Sequence, residues 1–268
     1  MTTDKTKSPV AFIHGLWLHG ESWGNWIDLF GGAGYRAAAM SWPGDGATAE
    51  GTRRNPSAVG GYGIIEIADH IAKQLQALGR RPIVIGHSFG GLLAQNLLGR
   101  GLAAAAIAID PAPIKGVNEL PLSALKSAFP VLGNPFNYSR AVGLTEKQFR
   151  FGFTNAVSEE ESSELYAKYA IPSPGRPLFQ AATALLNPRS ANRVNVANTS
   201  RGPLLLTAGQ ADNTVPPVLV KSALRVYSKS SAVTEMKEFL NRGHSLTIDS
   251  GWRDVAEYCL TWLMEKGF

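Results

Sequence analysis

Cysteine is nearly absent: Cys259 stands alone in 268 residues. That excludes an intramolecular disulfide and any multi-cysteine metal site. Long apolar runs are missing as well. The first, residues 10–13, follows a polar start and is far too short for a signal peptide or a membrane span. Charge is sparse at 18% of residues, and Lys+Arg 26 against Asp+Glu 21 leaves a net +5. The basic residues are scattered, with Arg53-Arg54 and Arg80-Arg81 the only adjacent pairs. A nucleic-acid surface would cluster them. No H-x-x-x-H or similar ligand spacing occurs, so neither a metal nor an organic cofactor is expected. There is no repeat and no low-complexity tract. What remains is an ordinary globular balance, 44% hydrophobic. The expectation is a cytoplasmic protein, monomeric or homodimeric, with no nucleic-acid or membrane partner.

Both ends of the chain alternate strand and helix. Residues 10–13, 82–85 and 104–109 are short apolar runs, 203–207 and 234–239 read as further strands, and 35–40 is a weaker one. Continuous apolar runs suit strands buried on both faces. Helical spacing appears over 64–78, 92–98, 218–227 and 252–263, while 41–61 reads as a long loop. Alternation of this kind predicts an α/β fold with a mostly parallel sheet and right-handed crossovers. The middle differs. Residues 111–202 hold nine prolines and helical stretches at 122–132, 146–155, 158–169 and 178–186. Thr145 with Gln148, and Ser158 with Glu161, have capping-box spacing. No good strand is expected there, and all six tryptophans lie outside. The reading is a core of 1–110 and 203–268 interrupted by a helical insertion.

The strongest chemical signal is Gly86-His87-Ser88-Phe89-Gly90, a G-x-S-x-G stretch between an apolar strand and an apolar helix. Glycines two before and two after the serine let backbones approach at a strained turn that presents the hydroxyl. A serine alcohol is a weak nucleophile and needs a base. Of five histidines, His70 sits in an amphipathic helix, His14 ends a strand, and His87 flanks the serine. His19 is ambiguous. His244, on a loop after the last strand, is the best-placed base. The base needs a carboxylate to fix its tautomer. Asp212 and Asp110 both follow strands; Asp212 is preferred, and Asp249 lies too near His244 in sequence. Oxyanion donors are expected from the backbone N–H of Phe89 and of Leu16, with Trp17 as the alternative to Leu16. Trp17, His14, His87, Phe129 and Phe153 are candidate pocket residues.

These residues together resemble the α/β-hydrolase fold superfamily. His14-Gly15, Gly86 to Gly90, Asp212 and His244 match its oxyanion loop, nucleophile elbow, acid and base in order, and residues 111–202 fall where the family carries its variable cap or lid. Trp42-Pro43-Gly44-Asp45-Gly46 looks like the family's D-x-P-G-x-G stretch, with Ser41 where an aspartate often sits. The family's N-terminal antiparallel hairpin is expected to be absent, as only nine residues precede the first strand; this is similar to plant methylesterases and hydroxynitrile lyases. The resemblance implies a serine carboxylic-ester hydrolase acting through an acyl-enzyme on a small to medium, fairly apolar ester. A serine at the elbow argues against the aspartate-nucleophile dehalogenase and epoxide hydrolase branches. Alternatives on the same residues are lactone, amide or C–C bond hydrolysis, cofactor-free haloperoxidase or perhydrolase chemistry, cyanohydrin cleavage, or a non-catalytic ligand receptor.

Overall fold

The computed structural model describes residues 7–268, so the first six residues of the expected core segment lie outside it. In chain order the elements before the insertion are β1 (Val10–Ile13), α1 (Gly24–Gly32), β2 (Ala37–Met40), α2 (Ala49–Arg54), α3 (Ile64–Gln76), β3 (Ile83–His87), α4 (Phe89–Gly99) and β4 (Ala105–Ile109). The inserted segment contains α5 (Leu122–Leu132), β5 (Ala141–Val142), α6 (Glu146–Gly152), α7 (Glu159–Tyr169), β6 (Ser173–Pro174) and α8 (Arg176–Ala182). After it come β7 (Leu204–Gly209), α9 (Pro217–Tyr227), β8 (Thr234–Phe239) and α10 (Trp252–Glu265).

Six strands form one sheet in the order β2-β1-β3-β4-β7-β8, and every neighbouring pair is parallel. The four inner strands are buried along their whole length, which is why they read as unbroken apolar runs. Their side chains still alternate between two faces. Ala11, Ile13, Val84, Ala106 and Leu206 join one core with α3, α4 and α9. Phe12, Ile83, Ile85, Ile107 and Leu205 join the other with α1 and α10. The second core is built on tryptophan: Phe12 stacks on Trp23 at 4.9 Å and meets Phe30 edge-on at 5.4 Å. The parallel arrangement brings the carboxyl ends of β1, β3, β4 and β7 to one rim.

Three details differ from the sequence reading. The loop over 41–61 contains α2, held by the Thr48 hydroxyl accepting the Gly51 N–H at 3.0 Å. The insertion contains a two-stranded antiparallel ribbon, β5 with β6, too short and proline-bearing to show as a strand pattern. The capping box at Thr145 and Gln148 forms in both directions. At Ser158 only half forms, because the Glu161 carboxylate instead accepts from the N–H and hydroxyl of Ser250, at 2.6 and 3.1 Å. Among the described residues no helix is long and apolar enough to cross a membrane.

Candidate active site

Ser88 sits between β3 and α4 with φ 56° and ψ −121°, a conformation that L-residues avoid and that has to be held by its surroundings. Its N–H donates to the Ile109 carbonyl at 2.9 Å, and the Ala112 N–H donates to the Ser88 carbonyl at 2.9 Å. The flanking glycines are fixed by contact. A Cβ on Gly86 would lie 2.0 Å from the Gly90 oxygen, and one on Gly90 would lie 2.1 Å from the Ile13 oxygen. Only hydrogen fits at either position. The loop after β1 passes against the serine itself: a Cβ on Gly15 would sit 2.7 Å from Ser88 Cβ and 3.3 Å from its Oγ.

That loop carries Leu16 and Trp17, two of the expected donors. Neither the Leu16 nor the Phe89 N–H has an acceptor among the described residues. Trp17 N–H is engaged, donating to Ser173 Oγ at 2.6 Å. The inserted ribbon grips Trp17 elsewhere too, through its indole N–H to the Val142 carbonyl at 3.0 Å and the Ile171 N–H to its own carbonyl at 3.0 Å. Trp17 is held at φ 64° by these contacts.

His244 and Asp212 meet at the end of the sheet. His244 Nδ1 donates to Asp212 Oδ2 at 2.6 Å, with both side chains fully buried. Asp212 Oδ1 accepts the Thr214 and Val215 N–H groups at 2.7 and 2.8 Å. Burial alone would raise the Asp212 carboxyl; the imidazole and these donors outweigh it and hold it below the usual carboxylate range. Gly209, three residues before the acid, lies so close to the Arg242 carbonyl that a Cβ would come within 2.7 Å. His244 Nε2 is buried and has no partner among the described residues, so no hydrogen bond joins it to Ser88 Oγ in this structure. In ligand-free sites such bonds are commonly long and shorten in the complex.

Asp110 also reaches this rim. It is fully buried, and both its oxygens face the Gly209 N–H at 3.1 and 3.2 Å. Burial, then the neighbouring Asp212 charge, push its carboxyl well above the usual range. Asp110, Asp212 and His244 are the one set of three metal-capable side chains close together among the described residues, with atoms within 4.8 Å. Within the set, His244 Nδ1 is bonded to Asp212 Oδ2 and Asp110 lies beside them.

A cavity of about 130 Å³ opens onto Ser88 and Phe89. Its walls are almost entirely apolar: Trp17, Ala112, Ala124, Leu125, Ala128, Leu178, Val215 and Leu219. The polar exceptions include Ser127 and Thr214. Thr214 donates to the Gly152 carbonyl at 2.7 Å, so Ser127 is the donor in their 2.7 Å contact.

Of the expected pocket residues, only Trp17 lines this cavity. Phe129 is corrected: it is 68% exposed on α5, and its ring lies over Gly133. The face of α5 that does line the cavity runs through Ala124, Ala128 and Leu132, a spacing of four that the sequence carries but that its larger aromatic neighbour hides. His14 is corrected as well, since its Nε2 lies 3.0 Å from Asp45 Oδ2 and its ring stacks on Trp42 at 5.0 Å. His87, completely buried, turns away from the cavity and donates from Nε2 to the His244 carbonyl at 2.9 Å. Burial, then the nearby His244, keep its imidazole neutral, with its pKa well below the ordinary histidine value. Phe153 packs edge-on against the His244 ring at 4.8 Å and on Phe149 at 4.9 Å, so it backs the imidazole without walling the cavity.

A strained serine between two obligatory glycines and a buried imidazole–carboxylate pair, at the carboxyl edge of a parallel sheet, place the chain in the α/β-hydrolase class of fold. The chain belongs to the alpha/beta hydrolase family, whose model matches residues 10–258. Among solved structures it is similar to a monoacylglycerol lipase from Paleococcus ferrophilus, at 22% identity and TM-score 0.67 over 97% of this chain and 96% of that one. It is similar to an Arabidopsis methylesterase, at 16% identity and TM-score 0.65 over 96% and 99%. It is similar to tomato methylketone synthase I, at 14% identity and TM-score 0.65 over 97% and 99%. At these identities the likeness is one of fold. No curated protein matches the chain.

Proposed function

We propose that this hydrolase is a serine carboxylic-ester hydrolase for small, apolar esters. The observation that carries this reading is the position of Ser88: held at φ 56° on the elbow, pressed by the Gly15 loop, and exposed to an apolar cavity of about 130 Å³. Ser88 Oγ attacks the acyl carbon while His244 Nε2 takes its proton. Asp212 keeps the Nδ1–H tautomer and stabilises the imidazolium. The Leu16 and Phe89 N–H groups receive the oxyanion, and α4 points its positive end toward the same place. His244 then protonates the leaving alcohol and activates the water that releases the acid.

In this reading residues 111–202 are a cap that supplies much of the wall and so sets substrate size. A cavity of about 130 Å³ is close to the roughly 150 Å³ that accepts a benzene-sized guest. The chemistry of the wall favours an unbranched or aromatic apolar group over a charged one. Hydrolysis of p-nitrophenyl acetate, butyrate and octanoate by wild type and Ser88→Ala tests the reading. Turnover of the short esters, lost in the variant, is expected. Equal rates in both proteins would sink the serine mechanism. Tight binding of the esters without turnover in either would favour a receptor.

A further inference from the structure

Asp110 has φ 42°, one of four non-glycine residues in the left-handed region among the described residues. Two of the others are Trp17 and Ser88, in the oxyanion loop and the elbow. Strain of this kind persists where the surroundings over-determine it. Here β4 and β7 hold the backbone, with the Asp110 N–H on the Thr207 carbonyl at 3.0 Å. The carboxyl is thereby fixed beside Asp212: both side chains are buried, and an oxygen of each lies within 4.8 Å of the other.

Two ionised carboxylates this close together and out of water would repel, and neither could donate to the other, so one of the pair holds a proton. Asp212 accepts from two backbone N–H groups at one oxygen and from His244 Nδ1 at the other. Asp110 has the single Gly209 N–H, and the Arg242 cation nearby is paired with Asp249. The negative charge belongs on Asp212. The remaining titratable groups around the chain are His87, whose N–H is spent on the His244 carbonyl, and His14, bonded to Asp45.

We propose that Asp110 is a positioning residue: it keeps its proton at working pH and donates it to Asp212. The donated bond stabilises the Asp212 carboxylate and so moderates how strongly that carboxylate holds a proton on His244. This rests on the triad reading above. Its consequence is a base that is neutral, and ready to accept the serine proton, at lower pH than a bare Asp–His pair would allow.

Two variants separate this from an ionised Asp110. Asp110→Asn keeps a donor toward Asp212, and Asp110→Ala removes it. The readouts are the acidic limb of kcat/KM for p-nitrophenyl acetate and, independently of any substrate, the NMR titration of the His244 ring. If Asp110 is the proton donor, Asn leaves the limb and the titration where wild type has them, and Ala moves both upward by about half a pH unit or more. If Asp110 were a second negative charge, both variants would move them downward, because the imidazolium would lose a neighbouring anion. A downward shift in Asp110→Asn overturns the proposal even if Asp110→Ala does not fold. Should Ser88→Ala retain turnover, the ester reading fails while the histidine titration still reports on Asp110.

Discussion

At Gly90 an added Cβ would fall 2.1 Å from a carbonyl oxygen, whereas Leu122 and Leu186 in the inserted segment are 84% and 87% exposed. The two regions are built to different tolerances. Around Ser88 backbones touch, and each of Gly15, Gly86 and Gly90 is where two segments approach too closely for a side chain. Across the cavity, the inserted segment presents the faces of α5 and α8, and leaves large apolar side chains in solvent beside it. The chemistry needs a fixed geometry; the choice of substrate needs only a wall of suitable shape.

The comparison has one exception. Residues 151–155 of the insertion are stitched to the loops that carry Asp212 and His244. Ser245 N–H donates to the Phe153 carbonyl at 2.9 Å, Asn155 Nδ2 to the Ala211 carbonyl at 2.8 Å, and Asn213 Nδ2 to the Phe151 carbonyl at 3.0 Å. This stretch belongs mechanically to the rim, although it lies within the proposed cap.

The largest effect should come from Gly90→Ala. Overpacking against the Ile13 carbonyl is expected to cost about 3 kcal/mol, a fall of roughly 6–12 °C in Tm together with loss of activity. A Tm unchanged in calorimetry would show that the elbow is looser than its contacts indicate. Next, Asp212→Asn should cut kcat by about 10³ to 10⁴ while leaving the fold intact by circular dichroism, since it disturbs the tautomer more than the packing. Asp110→Asn should not do so; the reverse result reassigns the acid.

A pH series sharpens the same contrast. The folded-state pKa of Asp110 is raised, so its contribution to stability is present below the ordinary carboxylate range and is lost as pH rises through that raised value. Asp212 has the opposite sign: its lowered pKa contributes above the ordinary range and is lost as pH falls. Denaturant melts should therefore show Asp110→Asn gaining on wild type as pH increases from about 4. A constant difference would contradict the buried, protonated carboxyl.

Within the insertion, Ala128→Phe should fill the cavity and raise KM for butyrate and octanoate esters more than for acetate, with little change in Tm. Phe129→Ala, one residue along and exposed, should stay within about 0.5 kcal/mol and leave the chain-length profile alone. If the two behaved alike, the face assigned to α5 would be wrong.

How much of this could be read from the sequence follows the same division. Gly86 to Gly90 are contiguous, and the contacts that demand the glycines are local, so the elbow shows in the residue order. The inner strands show because burial on both faces leaves unbroken apolar runs. The pocket does not show, because its wall depends on how α5 and α8 are rotated over the sheet, and Phe129 is more conspicuous in sequence than Ala124 or Ala128. The six residues of α2 carry no apolar period and are set by a threonine cap. Asp110 was readable as a second acid, but its contact with Asp212 depends on strands β4 and β7 lying side by side.

The most direct measurement is the mass of the intact protein after brief mixing with p-nitrophenyl acetate at low pH, where deacylation is slow, followed by peptide mapping. A gain of one acetyl group on the peptide containing Ser88, absent in Ser88→Ala, is expected. Ester turnover with no adduct on that peptide, or with the acetyl group mapped to another residue, would contradict it.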